Sequence, residues 1–393
     1  MRMKRWLPVL AAGALVSGPF AQELQHVVSV VNIEIPVRVF KGDTFVDNLT
    51  IQDFEVLENG VPQTIESVYL IKKTEIKRED GKKRATPQVS RQFVLFFEMS
   101  EYLSEIDKTV DRFFDEVFLP GDSLILITPQ GRYHMRPDAL KMPREKLKDQ
   151  LRAKLRRDIL IGSSEYLGTI RDMEAALLND STLEEKLELY SMYLSKLESL
   201  RWVDEKGLLQ FGEFLKAMPG QKYVYLFYQK ELIPKFNPKV LMQMMTANQS
   251  DTALTFKLME NFQFFTREVR FNVEAVKKAY ADSSIAIHFL YVTKTPASDV
   301  AITSQNRSGL EMAEQSEDIF SAFKEIASAT GGISDSSANA ASAFQRAVAA
   351  SENYYLIYYK PKDDKADGRF RELKVNVKGG GYRVMHRAGY VAK

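Results

Sequence analysis

A carboxylate and a hydroxyl stand directly after a long apolar run, in a position where side chains often bind ligands. Residues 93–97 are Phe-Val-Leu-Phe-Phe, and Glu98 and Ser100 follow them. An unbroken apolar run is typical of a strand with both faces buried in a parallel sheet. Because open α/β sheets bind ligands at the carboxyl ends of their strands, Glu98 and Ser100 could hold a cation or contact a partner.

Few other residues have the types or spacing that catalysis needs. The chain has no cysteine, which excludes thiolate catalysis and zinc–thiolate sites. Its four histidines lack metal-ligand spacing: His26, His134, His288 and His386. Glu98 could act as a general base, but a hydrolytic site would require Asp172 or His134 to converge on it in three dimensions. The sequence therefore predicts a protein that is not an enzyme.

The elements that position Glu98 and Ser100 can be read from the apolar pattern. After Ser100, Leu103, Ile106, Val110 and Phe113 recur at the spacing of an amphipathic helix. Further apolar runs predict strands, separated by stretches of helical periodicity, at residues 124–128, 223–228, 285–292 and 354–359. The predicted fold is α/β, a doubly wound and mostly parallel sheet in which residues 354–359 form the last strand.

The strand, loop and helix from residue 91 onwards resemble the first unit of a von Willebrand factor A domain. The metal-ion-dependent adhesion site of those domains opens with Asp-x-Ser-x-Ser, and the matching residues here are Glu98, Ser100 and Tyr102. The resemblance implies a threonine ligand from a later loop, for which Thr169 is the candidate. A threonine near a helix N-terminus is equally typical of a cap, so both readings of Thr169 stay open.

The two ends of the chain carry a narrower resemblance. Residues 36–67 and 354–390 are similar to the leading and closing segments of bacterial VWFA-related proteins, a family first described as an acidobacterial domain. This resemblance spans nearly the whole mature chain. It implies a von Willebrand A-like domain, and domains of that class bind other proteins.

The residues at the adhesion-site positions predict that the metal site is degenerate. Mg²⁺ requires near-octahedral oxygen ligands. Glu98 is longer than aspartate by one carbon–carbon bond, roughly 1.5 Å, and Tyr102 replaces a compact hydroxyl. Where the resemblance implies an acidic ligand, the chain has Gln229 and Lys230. We therefore expect no cofactor and an ion pair between Glu98 and Lys230; bound Mg²⁺ or Ca²⁺ is the alternative.

The pattern along the chain divides it into segments. Residues 27–70 and 361–390 have the pattern of β structure but are each too small to stand alone, so we expect them to pack together as a small β sandwich. Two separate flaps that lie on the α/β domain are the alternative. The predicted segments are a signal peptide (1–21), an N-terminal β module (22–71), a charged linker (72–90), the α/β domain (91–360) with helical insertions (178–218 and 238–282), and a C-terminal β segment (361–393).

The first residues predict export. Arg2, Lys4 and Arg5 precede an apolar stretch at residues 6–16, which is of signal-peptide length and short for a membrane span. Cleavage after Gly18 or Ala21 would release a secreted or periplasmic protein; an uncleaved N-terminal anchor is the alternative. No later stretch has the length and hydrophobicity of a membrane span. A net charge of +2 predicts no large field for nucleic acid.

Together these observations predict an exported, non-enzymatic protein-interaction module whose partner is an unidentified protein. The expected contact face lies at the strand ends around Glu98, Ser100, Tyr102 and Thr169, without a metal ion. The alternatives are a Mg²⁺- or Ca²⁺-dependent adhesion protein and an exported hydrolase.

Overall fold

The structure is a computed structural model that describes residues 32–81, 89–136, 139, 141–200, 205–218, 220–229, 232–264, 272–281, 285–292, 310–314, 317–337 and 339–392. The predicted signal peptide and Lys230 lie outside these ranges, and so does the expected pair between Lys230 and Glu98. No helix in the described ranges is long and apolar enough to cross a membrane.

The described chain begins with seven strands and one 3₁₀ turn before its first α-helix. The strands are β1 (Ile33–Lys41), β2 (Thr44–Phe45), β3 (Phe54–Glu58), β4 (Val61–Gln63), β5 (Ile65–Lys72), β6 (Glu75–Gly81), β7 (Arg91–Glu98), β8 (Ser123–Thr128), β9 (Gly131–His134), β10 (Gln221–Gln229), β11 (Leu232–Phe236), β12 (Ile285–Val292), β13 (Leu310–Glu314), β14 (Ser334–Ser337), β15 (Asn353–Tyr359), β16 (Phe370–Val377), β17 (Arg383–Met385) and β18 (Gly389–Val391).

The α-helices are α1 (Glu105–Arg112), α2 (Arg144–Gly162), α3 (Ser164–Leu178), α4 (Leu183–Ser199), α5 (Glu205–Lys216), α6 (Pro238–Ala247), α7 (Thr252–Phe264), α8 (Val273–Ala281), α9 (Glu317–Ala329) and α10 (Ala340–Ala349). A 3₁₀ turn (Ile51–Asp53) precedes β3, and a π-helical turn (Phe113–Val117) continues α1.

A six-stranded sheet forms the centre of the α/β part, in the order β14-β12-β10-β7-β8-β9. Its strands are parallel except for β9, which runs antiparallel to β8 at the edge. Successive residues of each strand point to opposite faces, and both faces are buried: α1, α2 and α10 cover one, while α5, α8 and α9 cover the other. The α/β class predicted from the sequence is confirmed.

Aromatic side chains supply much of the packing between neighbouring strands. Phe97 on β7 stacks on Phe227 on β10 with ring centroids 4.7 Å apart, and both rings are fully buried. Burial of one such side chain stabilises the fold by about 1.5–3 kcal/mol. This packing fixes β7 and β10 against each other immediately before their carboxyl ends, where Glu98 and Gln229 lie.

Strands from the two ends of the chain pair in the same two antiparallel sheets. One sheet has the order β17-β1-β15-β5-β6 with β2 beside β1, and the other has the order β18-β16-β3-β4. The sheets contact each other through Phe54 and Tyr355, whose rings lie 5.1 Å apart. They also meet at the buried Glu58, which accepts hydrogen bonds from Tyr359 (2.6 Å) and Tyr390 (3.0 Å).

Several expected segments differ from the structure. Residues 354–359 do not extend the parallel sheet: β15 pairs antiparallel with β1 and β5. Part of the expected linker is the strand β6, whose charged side chains suit a sheet edge exposed to solvent. Residues 310–314 and the polar strand β14 lack an apolar run and were not predicted as strands, yet they pair with β11 and β12.

The helical segments divide between two places in the fold. Helices α3, α4, α6 and α7 share a separate apolar cluster, which we call the helical lobe. Helices α5 and α8 lie within the expected insertions, yet they pack on the central sheet instead. The lobe joins the sheet at its carboxyl edge: Gly162 at the end of α2 packs so tightly on Pro129, which follows β8, that a Cβ there would lie 2.3 Å from the proline Cβ.

Candidate functional site

The carboxyl ends of β7 and β10 meet at the candidate site. The two strands are parallel neighbours, with Tyr228 paired in register to Glu98. Gln229 is therefore one residue beyond that pair. The side chains of both terminal residues are buried, with 9% of Glu98 and 5% of Gln229 exposed. The structure thus brings Glu98 and Gln229 to one point of the sheet edge, as expected for parallel strands.

Gln229 ties the loop after β7 to the end of β10. Its Oε1 accepts the backbone N–H of Ser100 at 3.1 Å and that of Glu101 at 2.9 Å. An amide oxygen has two lone pairs, and these two donors use both. The oxygen that stands where the resemblance implies a metal ligand is thus already saturated by the protein's own backbone. In the sequence, Gln229 was notable only for not being acidic, so its role was missed.

Tyr102 fixes the later part of this loop to α1. Its hydroxyl donates to Asp107 Oδ1 at 2.7 Å, and the guanidinium carbon of Arg156 lies 4.9 Å from the centre of its ring. Burial, together with the neighbouring Asp107 carboxylate, raises the pKa of Tyr102 well above its usual value. Tyr102 is therefore a neutral donor that anchors the loop to α1, rather than an exposed metal ligand.

Asp107 begins a row of ion pairs that joins α1 and its π-helical turn to α2. The acidic residues recur every four positions, as do the basic residues of α2, so each set forms one row on its helix. The paired residues are Asp107 with Arg152 (3.4 Å) and Arg156 (2.9 Å), Asp111 with Arg152, and Asp115 with Lys148 (2.7 Å). This acidic–basic row holds Asp107 in place, and Asp107 accepts the hydrogen bond from Tyr102.

Thr169 does not lie in a loop. It is the sixth residue of α3, it is 1% exposed, and its hydroxyl donates to the backbone carbonyl of Glu165 at 2.8 Å. Such bonding to the preceding turn is common for threonine inside a helix. The expected loop position and the expected cap are both wrong for Thr169, because it lies inside α3 and its hydroxyl bonds to the preceding turn.

A further polar contact, which was not predicted, lies at the end of β8. The hydroxyl of Thr128 donates to Asp158 Oδ2 at 2.8 Å, and both residues are buried. Lys154 approaches the same carboxylate at 3.3 Å. Asp158 has its own partners and so fixes α2 to the strand end. The only signal in the sequence is a threonine that follows an apolar strand.

His134, which the hydrolase alternative brings to Glu98, does not converge on it. His134 on β9 pairs with Ile125, which pairs with Val94, so it lies at a level four residues before Glu98. At about 3.3 Å per residue this is roughly 13 Å along the strand direction. His134 is also two strands away from Glu98, and Asp172 is exposed on α3. In the described part of the chain, no three histidine or acidic side chains cluster so as to hold a metal ion.

The central sheet also contains a buried ion pair and a buried histidine. Arg91 forms a bidentate ion pair with Asp122, at 2.9 and 2.6 Å, and both residues are buried. The fully buried His288 accepts the Ile333 N–H at Nδ1 (3.3 Å). Burial, and to a lesser degree the nearby Arg38, lower the pKa of His288 to about 3, so the ring is neutral. Neither group lies at the strand ends that carry Glu98 and Gln229: Arg91 begins β7, and His288 pairs with Tyr225 within the sheet.

No protein-family model matches the chain, and comparison with curated proteins and with solved structures also found no match. Inferences about function therefore rest on the residues and geometry described above.

Proposed function

We propose that this chain is an exported protein-interaction module built on a von Willebrand factor A-like domain, and that it binds its protein partner without a metal ion. The contact face is the carboxyl edge of the central sheet, around Glu98, Ser100 and Tyr102. The mostly parallel sheet with helices on both faces supports the domain class, together with the sequence resemblance. Export rests on the basic and apolar pattern of residues 1–21.

The main observation in favour of metal-independent binding is that the Gln229 side chain accepts two backbone hydrogen bonds from the loop. A divalent cation organises a loop by drawing oxygen ligands together, and its hard charge favours carboxylates over a neutral amide. Here the Gln229 amide performs the organising step, because it binds the N–H groups of Ser100 and Glu101 directly. Tyr102, held by Asp107, fixes the following residues. These protein hydrogen bonds order the loop without requiring an ion, which supports the metal-independent proposal.

The geometry also supports a binding role over catalysis. Glu98 is buried, and the histidine that a hydrolytic site would need lies roughly 13 Å away along the strand direction. A preordered loop with an exposed residue, Glu101, suits recognition, since little ordering entropy is lost on binding. We therefore assign the carboxyl edge to partner contact and assign no reaction to it.

Thermal unfolding in chelator, and then in millimolar Mg²⁺ or Ca²⁺, tests the metal-independent reading. A ligand that binds only the folded state stabilises it by about 2.7 kcal/mol at a hundredfold excess over Kd. We expect no change in Tm for the natural chain. Gln229→Glu should instead become ion-dependent, because it adds a carboxylate beside Glu98. A clear ion-induced shift in the natural chain, abolished by Glu98→Ala, would make the adhesion-protein alternative correct.

Affinity capture from the exported fraction tests the contact face. Glu101→Arg reverses a charge on this face, and Glu372→Arg makes the same change on the exposed side of β16. We expect the first substitution to reduce recovery of a specific partner and the second to leave it intact, with chelator present throughout. Equal recovery by the two variants would remove the carboxyl edge as the contact face.

A further inference from the structure

The strand β9 is an open edge of the central sheet. It is the last strand in the sheet order, and among the described residues it pairs with β8 alone. The N–H of Met135 donates to Leu124, just beyond the ladder, so the alternate residues Gly131 and Tyr133 are the ones bonded to β8. The backbone N–H and C=O groups of Arg132 and His134 consequently point away from β8, towards the open side of the sheet.

The side chains of this edge alternate between basic and apolar. Arg132, His134 and Arg136 are exposed, whereas Tyr133 and Met135 are half-buried on the other face. Arg132 is held in place by Phe214 of α5, with its guanidinium carbon 3.6 Å from the centre of the ring. A basic row on an edge strand can serve simply to prevent sheet-to-sheet association. The adjoining cleft indicates a more specific role.

An apolar cleft of about 550 Å³ lies beside β9 on the face of Tyr133 and Met135. The described residues that line it are Phe114, Leu124, Leu126, Tyr133, His134, Met135, Arg136, Ala139, Met142, Leu147, Gln150, Leu151 and Lys154. None of these is acidic, and three are basic. Lys154 extends over the Tyr133 ring, with Nζ 4.1 Å from its centre. Its pKa is raised, chiefly by the hydrogen bond with Tyr133, so its ammonium group stays charged at the rim.

We infer that β9 accepts an extended peptide in which acidic and apolar residues alternate, and that this peptide pairs with the sheet as an added strand. Strand addition uses open backbone groups for affinity and alternate side chains for specificity. Residues on one face of the peptide meet Arg132 and Arg136, and residues on the other face enter the cleft. The inference needs neither a metal ion nor the contact face around Glu98.

Charge complementarity favours an acidic peptide over a neutral one. Opposite charges directly across adjacent strands stabilise a sheet, and like charges destabilise it. A peptide with glutamates opposite Arg132 and Arg136 gains two such pairs, whereas a lysine peptide would meet repulsion at both. The volume of the cleft lies within the range of small binding pockets, which is sufficient for one or two aliphatic side chains.

Fluorescence anisotropy with a labelled heptapeptide of alternating glutamate and valine tests the inference. We expect saturable binding that weakens with salt, and no binding of the lysine–valine counterpart. The double variant R132E/R136E should weaken binding by about tenfold or more, because two attractive pairs become repulsive. The matched control K146E/R157E reverses two exposed charges on α2 and should bind as the natural chain does.

The backbone pairing is tested on the peptide side, so that folding of the protein is not disturbed. N-methylation at alternate residues removes the donors that would pair with β9 and should abolish binding, whereas methylation at the other residues should not. Equal loss with either methylation pattern, or equal affinity of the acidic and basic peptides, would overturn the inference. Unchanged binding by R132E/R136E, with an unchanged Tm, would overturn it as well.

Discussion

Replacement of Gln229 by leucine removes an acceptor while nearly preserving side-chain volume. Two backbone donors then lose their partner, at Ser100 and at Glu101. A buried donor left unpaired costs about 1–3 kcal/mol, and a typical hydrogen bond contributes about 0.5–1.5 kcal/mol. Ser100 is half-buried but Glu101 is exposed and can bond to water. We therefore expect a total loss of about 2 kcal/mol, the larger part from Ser100.

Amide hydrogen exchange locates this loss within the chain. The amides of Ser100 and Glu101 should exchange about 5–30 times faster in Gln229→Leu, the factor that corresponds to one or two kcal/mol. Denaturant unfolding should show a lower midpoint with an unchanged m-value, because the surface exposed on unfolding stays the same. Gln229→Glu keeps the acceptor and should retain protection when a divalent cation offsets its charge.

A matched control is available on the same strand. Gln221 is the first residue of β10, is equally well buried and lies at the opposite edge of the sheet. Gln221→Leu should leave the exchange of Ser100 and Glu101 unchanged, whatever its effect on global stability. If Gln229→Leu likewise left these two amides protected, other contacts would order the loop. The proposed role of Gln229 in holding the loop would then be refuted.

Three further predictions concern stability. Asp122→Ala leaves the Arg91 guanidinium buried without its partner and should cost about 3–5 kcal/mol in chemical denaturation; a loss below about 1 kcal/mol would contradict the pairing. His288 has a folded pKa near 3, so the unfolded chain binds more protons below pH 6.5. The free energy of unfolding should therefore fall as pH falls from 6.5 towards 3, by up to about 5 kcal/mol. In His288→Phe, the slope of this free energy against pH should decrease by the equivalent of one proton. An unchanged slope would disprove the low pKa of His288. Gly332→Ala places a Cβ 1.8 Å from the Ile287 carbonyl oxygen and should lower Tm clearly more than Gly168→Ala, where nothing lies within 4 Å.

The strands of the α/β part could be predicted because their signal is local. Strands that are buried on both faces are near-continuous apolar runs. Such runs occur at residues 93–97, 124–128, 223–228 and 285–292. The same signal misplaced residues 354–359. An apolar run shows that a strand is buried, but the partner it pairs with depends on residues far along the chain. In the structure these residues pair with β1, more than 300 positions away in sequence.

The candidate site was only partly visible in the sequence. The positions of Glu98 and Ser100 at a strand end follow from the strand prediction itself, and the structure brings Glu98 beside Gln229. The role of Gln229 could not be foreseen, because its acceptor bonds reach Ser100 across 129 positions of sequence. Thr169 was misplaced because Gly162 and Gly168 indicated a loop, whereas helix packing in the lobe outweighs the low helix propensity of glycine.

Which segments are buried follows from the sequence alone, because hydrophobic periodicity is present residue by residue and must match a strand or a helix wherever the chain folds. The pairing of polar groups depends on the tertiary structure. Gln229 with the loop, Tyr102 with Asp107 and the open edge of β9 each depend on the distance between atoms of separate elements. Hydrogen bonds require donor and acceptor within about 3 Å, and no one-dimensional pattern specifies that distance.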